Sequence, residues 1–216
     1  MYKWGLDSSY GLTGMAEGEF AVQDLTWEIV NKMNLGVELG FLNGMIDLQL
    51  DYFDERRKDI FMPRESVPMT AGFMKQPWKN FGKVTNQGVE VTLNVNKQFG
   101  KDLFVSLMGT FTYAHNEITE KDEPSAVVGT NRAETGHPVG QLTGYIAEGL
   151  FTADDFEDVS TGKLKEGIPT QSFVGKLRPG DIRYRDVNGD GKVDVFDKSP
   201  IGGTKDPEIV LSLIHI

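Results

Sequence analysis

The chain has 216 residues, no cysteine, and a formal net charge of −10 from 22 Lys and Arg against 32 Asp and Glu. Without cysteine there is neither a disulfide framework nor a thiolate metal site, and an acidic surface with no basic cluster disfavours nucleic acid as a partner. Apolar residues make up 39%, and no run reaches the ~18 residues that a membrane helix needs, a test that β-barrel strands escape because ~10 residues of alternating polarity suffice for them.

Alternation governs the first half. Leu35, Val37, Leu39 and Phe41 take one face of a strand, and Asn34, Gly36, Glu38 and Gly40 the other. Leu42, Asn43 and Gly44 predict a hairpin turn, after which Ile46, Leu48, Leu50 and Tyr52 alternate with Asp47, Gln49 and Asp51. Pro63, Pro68 and Pro77 mark a loop over Arg64–Lys79. The pattern then returns: Val89, Val91, Leu93 and Val95 oppose Glu90, Thr92, Asn94 and Asn96. A turn at Phe99–Asp102 leads into Leu103, Val105, Leu107, Gly109, Phe111 and Tyr113. Two long antiparallel hairpins follow, with short turns at one end and a long loop at the other.

A soluble sandwich explains such alternation, since one face packs and the other is wet. Two features favour a membrane barrel instead. The expected strands run past the usual ~3–10 residues of soluble sheets, and the apolar face carries no charge, as it must where a midplane Lys or Arg costs about 2–4 kcal/mol. Phe41, Phe99 and Phe104 near the turns, and Phe61, Trp78 and Phe81 near the loop, suggest aromatic girdles.

From Glu117 to Pro207 the chain is rich in Gly, Asp and Thr without sustained alternation, which suggests a functional loop region. Thr152 followed by acidic residues reads as the N-cap of a short helical turn. The most specific stretch is DVNGDGKVDVFD, Asp186–Asp197. Calcium takes six to eight oxygens, so its loops fold carboxylates around one point. Asp186, Asn188 and Asp190 supply side-chain oxygens, Lys192 a carbonyl, Asp194 an oxygen through water, and Asp197 closes the shell. Gly191 permits the sharp turn and Val193 anchors the loop. The spacing resembles an EF-hand or dockerin loop, with Asp rather than Glu at the last position. An ion-free Asx-rich turn is the alternative. Either way the loop reads as structural, and a single copy without flanking helices fits neither a paired sensor nor a dockerin module.

Four stretches together resemble the SusC/RagA family of TonB-dependent outer-membrane transporters. They are Trp27–Phe61, Asn80–Asn94 (NFGKVTNQGVEVTLN), Gly136–Phe156 (GHPVGQLTGYIAEGLFTADDF) and Leu177–Gly202 (LRPGDIRYRDVNGDGKVDVFDKSPIG). The resemblance implies a plugged barrel in the outer membrane, importing oligosaccharides or peptides with energy from TonB beneath a SusD-like lipoprotein. This chain would then be a fragment of the C-terminal half, lacking plug and TonB box, and unable to close a barrel by itself. The expected organisation is barrel strands over 1–118, a long extracellular loop over 119–210 carrying the calcium loop, and a closing hexapeptide, 211–216. That hexapeptide, LSLIHI, resembles the translation of a transposase end used in sequencing libraries and is expected to be such an artefact.

His115, His137 and His215 are scattered, and neither a nucleophile elbow, a P-loop nor HExxH occurs, so an enzyme is not expected. Tyr145 and Phe151 are loop aromatics able either to stack on a sugar or to anchor the loop. The rival reading is a secreted, calcium-stapled soluble β-domain, an adhesin or carbohydrate-binding module, in which Leu35, Val37, Val91 and Leu107 would pack on a second sheet.

Overall fold

The computed structural model describes residues 2–7, 12–17, 22, 24–73, 75–171 and 173–215; Ile216 of the closing hexapeptide lies outside them. In chain order the first strands are β1 (Tyr2–Asp7), β2 (Leu12–Glu17), β3 (Ile29–Phe41), β4 (Ile46–Pro63), β5 (Trp78–Phe99) and β6 (Leu103–Glu120). Eight short strands follow: β7 (Gln141–Gly144), β8 (Ala147–Leu150), β9 (Phe156–Asp158), β10 (Lys163–Leu164), β11 (Thr170–Gln171), β12 (Ile182–Tyr184), β13 (Lys192–Val193) and β14 (Ser199–Thr204). The last is β15 (Ile209–His215). The chain divides into two compact units: Met1–Ser125 with Glu134–Gly140 and Asp206–Ile216, and Ala126–Ala133 with Gln141–Lys205.

In the first unit β1 and β2 pair antiparallel, and a five-stranded antiparallel sheet runs in the order β15-β6-β5-β4-β3. The hairpins are those read from the alternation. Their strands are longer, at 13, 18, 22 and 18 residues for β3 to β6, because pairing continues beyond the alternating stretches. At one end sit short turns. Leu42, Asn43 and Gly44 all have positive φ (52°, 58° and 81°), the left-handed twist that suits a hairpin.

Register turns the alternation into two faces. Val37, Leu50, Val91, Phe111 and Leu211 stand opposite one another across all five strands. The next row is Leu39, Leu48, Leu93, Gly109 and Leu213, and on the other side lie Leu35, Tyr52, Val89, Tyr113 and Ile209. With a fourth row on β3 to β6, Phe41, Ile46, Val95 and Leu107, these rows occupy about 20 Å of strand, near the ~25 Å apolar band of membrane barrels once flanking aromatics are added. Most of these side chains stay exposed, as Leu35 at 62% and Val37 at 52% do, while Leu48, Val91 and Phe111 are half-buried. The opposite face is polar, as in the row Glu38, Gln49, Thr92, Thr110 and Ser212. No closed barrel forms among the described residues.

Parity also corrects two expected girdle members. Phe104 pairs with Gln98 and so belongs to the polar face. Phe81 is the unpaired residue of a bulge, with the Arg64 guanidinium 5.5 Å from its ring centroid. Phe61 and Trp78 do lie side by side, ring centroids 5.1 Å apart. On the polar face the Phe53 ring covers Gly88 so closely that a Cβ there would come within 2.6 Å of it and within 2.1 Å of the Tyr113 carbonyl.

Beyond the apolar rows β4 contains a second irregularity. Arg57 pairs with Val84 and Ile60 with Gly82, leaving Lys58 and Asp59 against Lys83. Asp59 is left-handed at φ 58°, and the Asn80 amide holds its carbonyl at 2.8 Å while clasping Thr26 through both carbonyl and amide. The loop from 64 to 77 closes back on the sheet. Asp122 accepts the Arg64 guanidinium at 2.8 Å, the Ser66 hydroxyl at 3.0 Å and the Ser66 amide at 3.2 Å.

Candidate functional site

The second unit builds a site in which carboxylates fold the backbone. Its apolar centre is small: Phe151, Phe156 and Leu177 are buried together, with Leu164, Ile168 and Val174 packed against them. The region expected to lack elements therefore holds paired strands, β14 with β7, β12 with β8, β10 with β9, and β11 with β13 in parallel. Each is too short for its alternation to be legible in sequence. Phe151 is only 2% exposed and meets Phe156 edge-on, which decides between the two roles left open for it: it is an anchor. Tyr145 stacks on Phe173 at 4.4 Å and meets Tyr184 at 5.6 Å, so it too packs against its own unit. Burial, and then the charges of Asp194 and Asp197, push the Tyr145 hydroxyl above its ordinary pKa.

The helical turn expected after Thr152 is present as the 3-10 turn Ala153–Asp155, where the Asp155 carboxylate accepts both the Thr152 amide at 2.6 Å and its hydroxyl at 2.8 Å. Those two bonds hold the Asp155 carboxyl below the usual range.

Asp186–Asp197 forms one continuous turn. Asp186 accepts the amides of Gly189 and Gly191 at 2.7 and 2.8 Å, Asn188 accepts Asp190 at 3.0 Å, and Asp190 accepts Lys192 at 2.9 Å. Gly191 sits at φ 82°, the conformation the spacing assigns to a glycine. Asp194 caps the 3-10 turn Val195–Asp197 through the Phe196 amide at 2.8 Å. Asp197 is fully buried and accepts three backbone amides: Val187 at 2.8 Å, Asn188 at 3.3 Å and Asp194 at 2.7 Å. Val193 is fully buried in β13, which Lys192 opens.

The donors that could hold a metal are all oxygens, the set calcium prefers. Asp186 and Asp190 receive one hydrogen bond on each oxygen and keep spare lone pairs; Asp197 Oδ1 receives two. Among the described residues no three acidic or histidine side chains converge on one point. What the sequence did not reveal is how much of the loop's closure is carried by amides instead. Nor did it reveal the clasp of Asn131, whose side-chain amide donates to the Lys198 and Phe196 carbonyls at 2.7 and 3.1 Å.

The histidines assemble no catalytic group. His115 Nδ1 meets Glu208 at 2.9 Å, the His137 carbonyl accepts the Ile118 amide at 2.9 Å, and His215 falls in β15.

The sheet, its exposed apolar rows and this loop unit match a known family over most of the chain. Residues 4–202 fit the family model described as TonB dependent receptor-like, beta-barrel. The chain belongs to that family. It is similar to TonB-dependent receptor SusC of Bacteroides thetaiotaomicron, 28% identical over 188 residues that cover 82% of this chain and 17% of that protein. It is also similar to TonB-dependent receptor P3 of Formosa agariphila, 23% identical over 202 residues that cover 88% and 19% respectively. Among solved structures, the RagAB peptide importer in its closed-closed state superposes with TM-score 0.62 at 19% identity, covering all of this chain and 22% of that one. The chain thus spans about a fifth of the length of the curated relatives it matches. A TonB-dependent receptor of SusC/RagA type is an outer-membrane β-barrel protein, which accounts for an apolar face turned outward. The relatives named are receptors, not enzymes.

Proposed function

We propose that this TonB-dependent receptor segment is barrel wall and loop of a nutrient transporter that imports oligosaccharides or peptides. TonB supplies the energy, a SusD-like lipoprotein covers the mouth, and the segment alone does not transport. The carrying observation is the two-faced sheet. Four strands, β3 to β6, present apolar rows on one side and Glu38, Gln49, Thr92 and Thr110 on the other, an arrangement that serves a polar passage through lipid. The test is uptake by cells of the native host carrying the full-length protein. Labelled oligosaccharides and peptides are offered with and without an uncoupler, and lipoproteins that co-purify are identified. Energy-dependent uptake lost on deletion of the gene supports the reading; unchanged uptake of every probe overturns it.

Within this function the loop Asp186–Asp197 is proposed as a structural calcium staple, with Asp186, Asn188, Asp190, Asp194 and Asp197 giving side-chain oxygens and Lys192 its carbonyl. Its oxygen-only donors support this. The charge of a bound ion would offset the repulsion among its acids. Calcium should slow proteolysis within 126–205 of the full-length protein, and chelator should reverse it. The paired substitution Asp186→Ala with Asp190→Ala should abolish the calcium dependence; protection identical with and without calcium would dismiss the staple.

A further inference from the structure

The β4 irregularity does more than kink a strand. Before it, odd-numbered residues of β4 face the polar side and even-numbered ones the apolar side. The extra residues Lys58 and Asp59 reverse that parity, so that Ile60 and Met62 turn to the same side as Glu55 and Arg57. A bulge re-aims side chains in this way, and such irregularities concentrate beside functional sites. Here it costs a left-handed Asp59, stabilised by the Asn80 amide. Observed backbone strain of this kind is a pointer to function.

The re-aimed side chains form the floor of a cavity of about 520 Å³ on the polar face, wholly within the first unit. Ile60, Met62, Val84 and Ile118 make that floor, with Gly82 leaving the space that Met62 fills. The size suits a small ligand, since binding pockets run to about 300–1,000 Å³. Charges of both signs ring it. Glu55 pairs with Lys32 at 2.6 Å, Lys83 with Glu120, and Lys121 with Glu134 at 2.8 Å. Among the described residues no aromatic ring lines it.

We infer that this cavity binds a peptide, seating one aliphatic or aromatic side chain on the floor made by Ile60, Met62 and Val84. The inference rests on the import reading and names its substrate class. Asn86, Asn116 and Arg57 also line the cavity and can meet hydroxyls at its walls, but a sugar ring seated on the floor itself would bury hydroxyls against aliphatic side chains, and that burial is unfavourable. Among the described residues no aromatic ring lines the cavity to stack on the sugar's apolar face. An apolar side chain suits the floor instead, and a zwitterionic backbone finds both signs of charge at the rim. Glu55, Glu120 and Glu134 accept amino groups, and Lys83 and Lys121 meet carboxylates by exchanging partners.

The experiment uses the full-length protein in its native membrane. One probe is a fluorescent tryptic digest of casein, and the other is labelled dextran-derived oligosaccharides. Energy-dependent peptide uptake enriched in Leu- and Phe-containing members is expected. Met62→Asp should weaken uptake of a Leu-containing peptide about tenfold, the discrimination one apolar side chain provides, and leave a Gly/Ser peptide unchanged, with Met62→Leu restoring it. Heat-modifiable electrophoretic mobility confirms that each variant has assembled. A photo-crosslinking residue at Val84 should capture the peptide. Uptake of oligosaccharides alone overturns this inference and leaves the import reading intact, whereas uptake of neither probe overturns both. Crosslinking of Val84 to another segment of its own polypeptide, or an equal effect of Met62→Asp on both peptides, also overturns the inference.

Discussion

The five-stranded sheet and the loop unit solve opposite problems with one alphabet. In the sheet, Leu, Val and Phe point outward and stay exposed, while Glu38, Gln49 and Thr92 take the other side. In the loop unit, Phe151, Phe156, Leu177 and Val193 are inside, and the most deeply buried charge, Asp197, is tied by three amides. The first arrangement is stable only where the surroundings are apolar. The second closes a small core in water by giving nearly every buried side-chain polar atom a partner, Arg183 Nε being an exception. Which side counts as inside is therefore a property of the solvent, and the two units of one chain have different solvents.

The sharpest way to break that contrast is at Asp197. Asp197→Ala strands three backbone amides, at a cost of at least ~3 kcal/mol. The small loop core cannot offset this, so proteolysis should open 126–205 of the full-length protein while the sheet stays protected. The reciprocal test is Val91→Arg, in the middle row of the apolar face. It should cost about 2–4 kcal/mol in a urea titration of the membrane-assembled protein, whereas Thr92→Arg on the polar face should cost little. Equal costs would erase the distinction between the faces. Smaller in effect is Gly88→Ala, where the new methyl meets the Phe53 ring and the Tyr113 carbonyl. About 1–3 kcal/mol of overpacking is expected, relieved in the double variant with Phe53→Leu only to the extent that the ring is the obstacle.

The smallest effect sharpens the boundary between sheet and loop. Burial pushes Asp122 upward, but hydrogen bonds from Arg64 and Ser66 outweigh it and hold the carboxyl below its ordinary value. A depressed acid contributes stability that is present above its unfolded value and is lost as pH falls through the folded one. Protection of the loop from 64 to 77 against proteolysis should therefore fade on acidification, and Asp122→Asn should flatten that limb. An unchanged acid limb would place the dependence elsewhere.

Much of this was legible in the sequence. A period of two over Leu35–Phe41, Ile46–Tyr52 and Val89–Val95 fixes strand, face and hairpin together, because a slip of one residue would exchange the faces. Val193 as anchor and Thr152 as the start of a helical turn were legible for a similar reason, each being a local rule with a local partner. The bulge at Lys58–Asp59 was not, since it is a mismatch between two strands and appears only when β4 is set against β5. Its trace in sequence is small: the alternation falters at RRKDIF. The short strands of the loop unit escaped because two or three residues cannot display a period, and Phe151 became an anchor only once Phe156 was seen against it. Asp197 was read as a possible ligand, yet its three amide partners depend on a turn geometry that no spacing encodes.

The unequal ends of the sheet carry a last consequence. At one end the strands are joined by the few residues of Leu42–Met45 and Gly100–Asp102; at the other the chain leaves β4 and β6 for long connections, 64–77 and 121–208. Moving an unsatisfied peptide group through hydrocarbon is costly, so the work of crossing scales with the length of what must cross. The acid-rich end is therefore the costly one to move, and once it stands in water it anchors the sheet against slipping back, while the small turns add little to that hold.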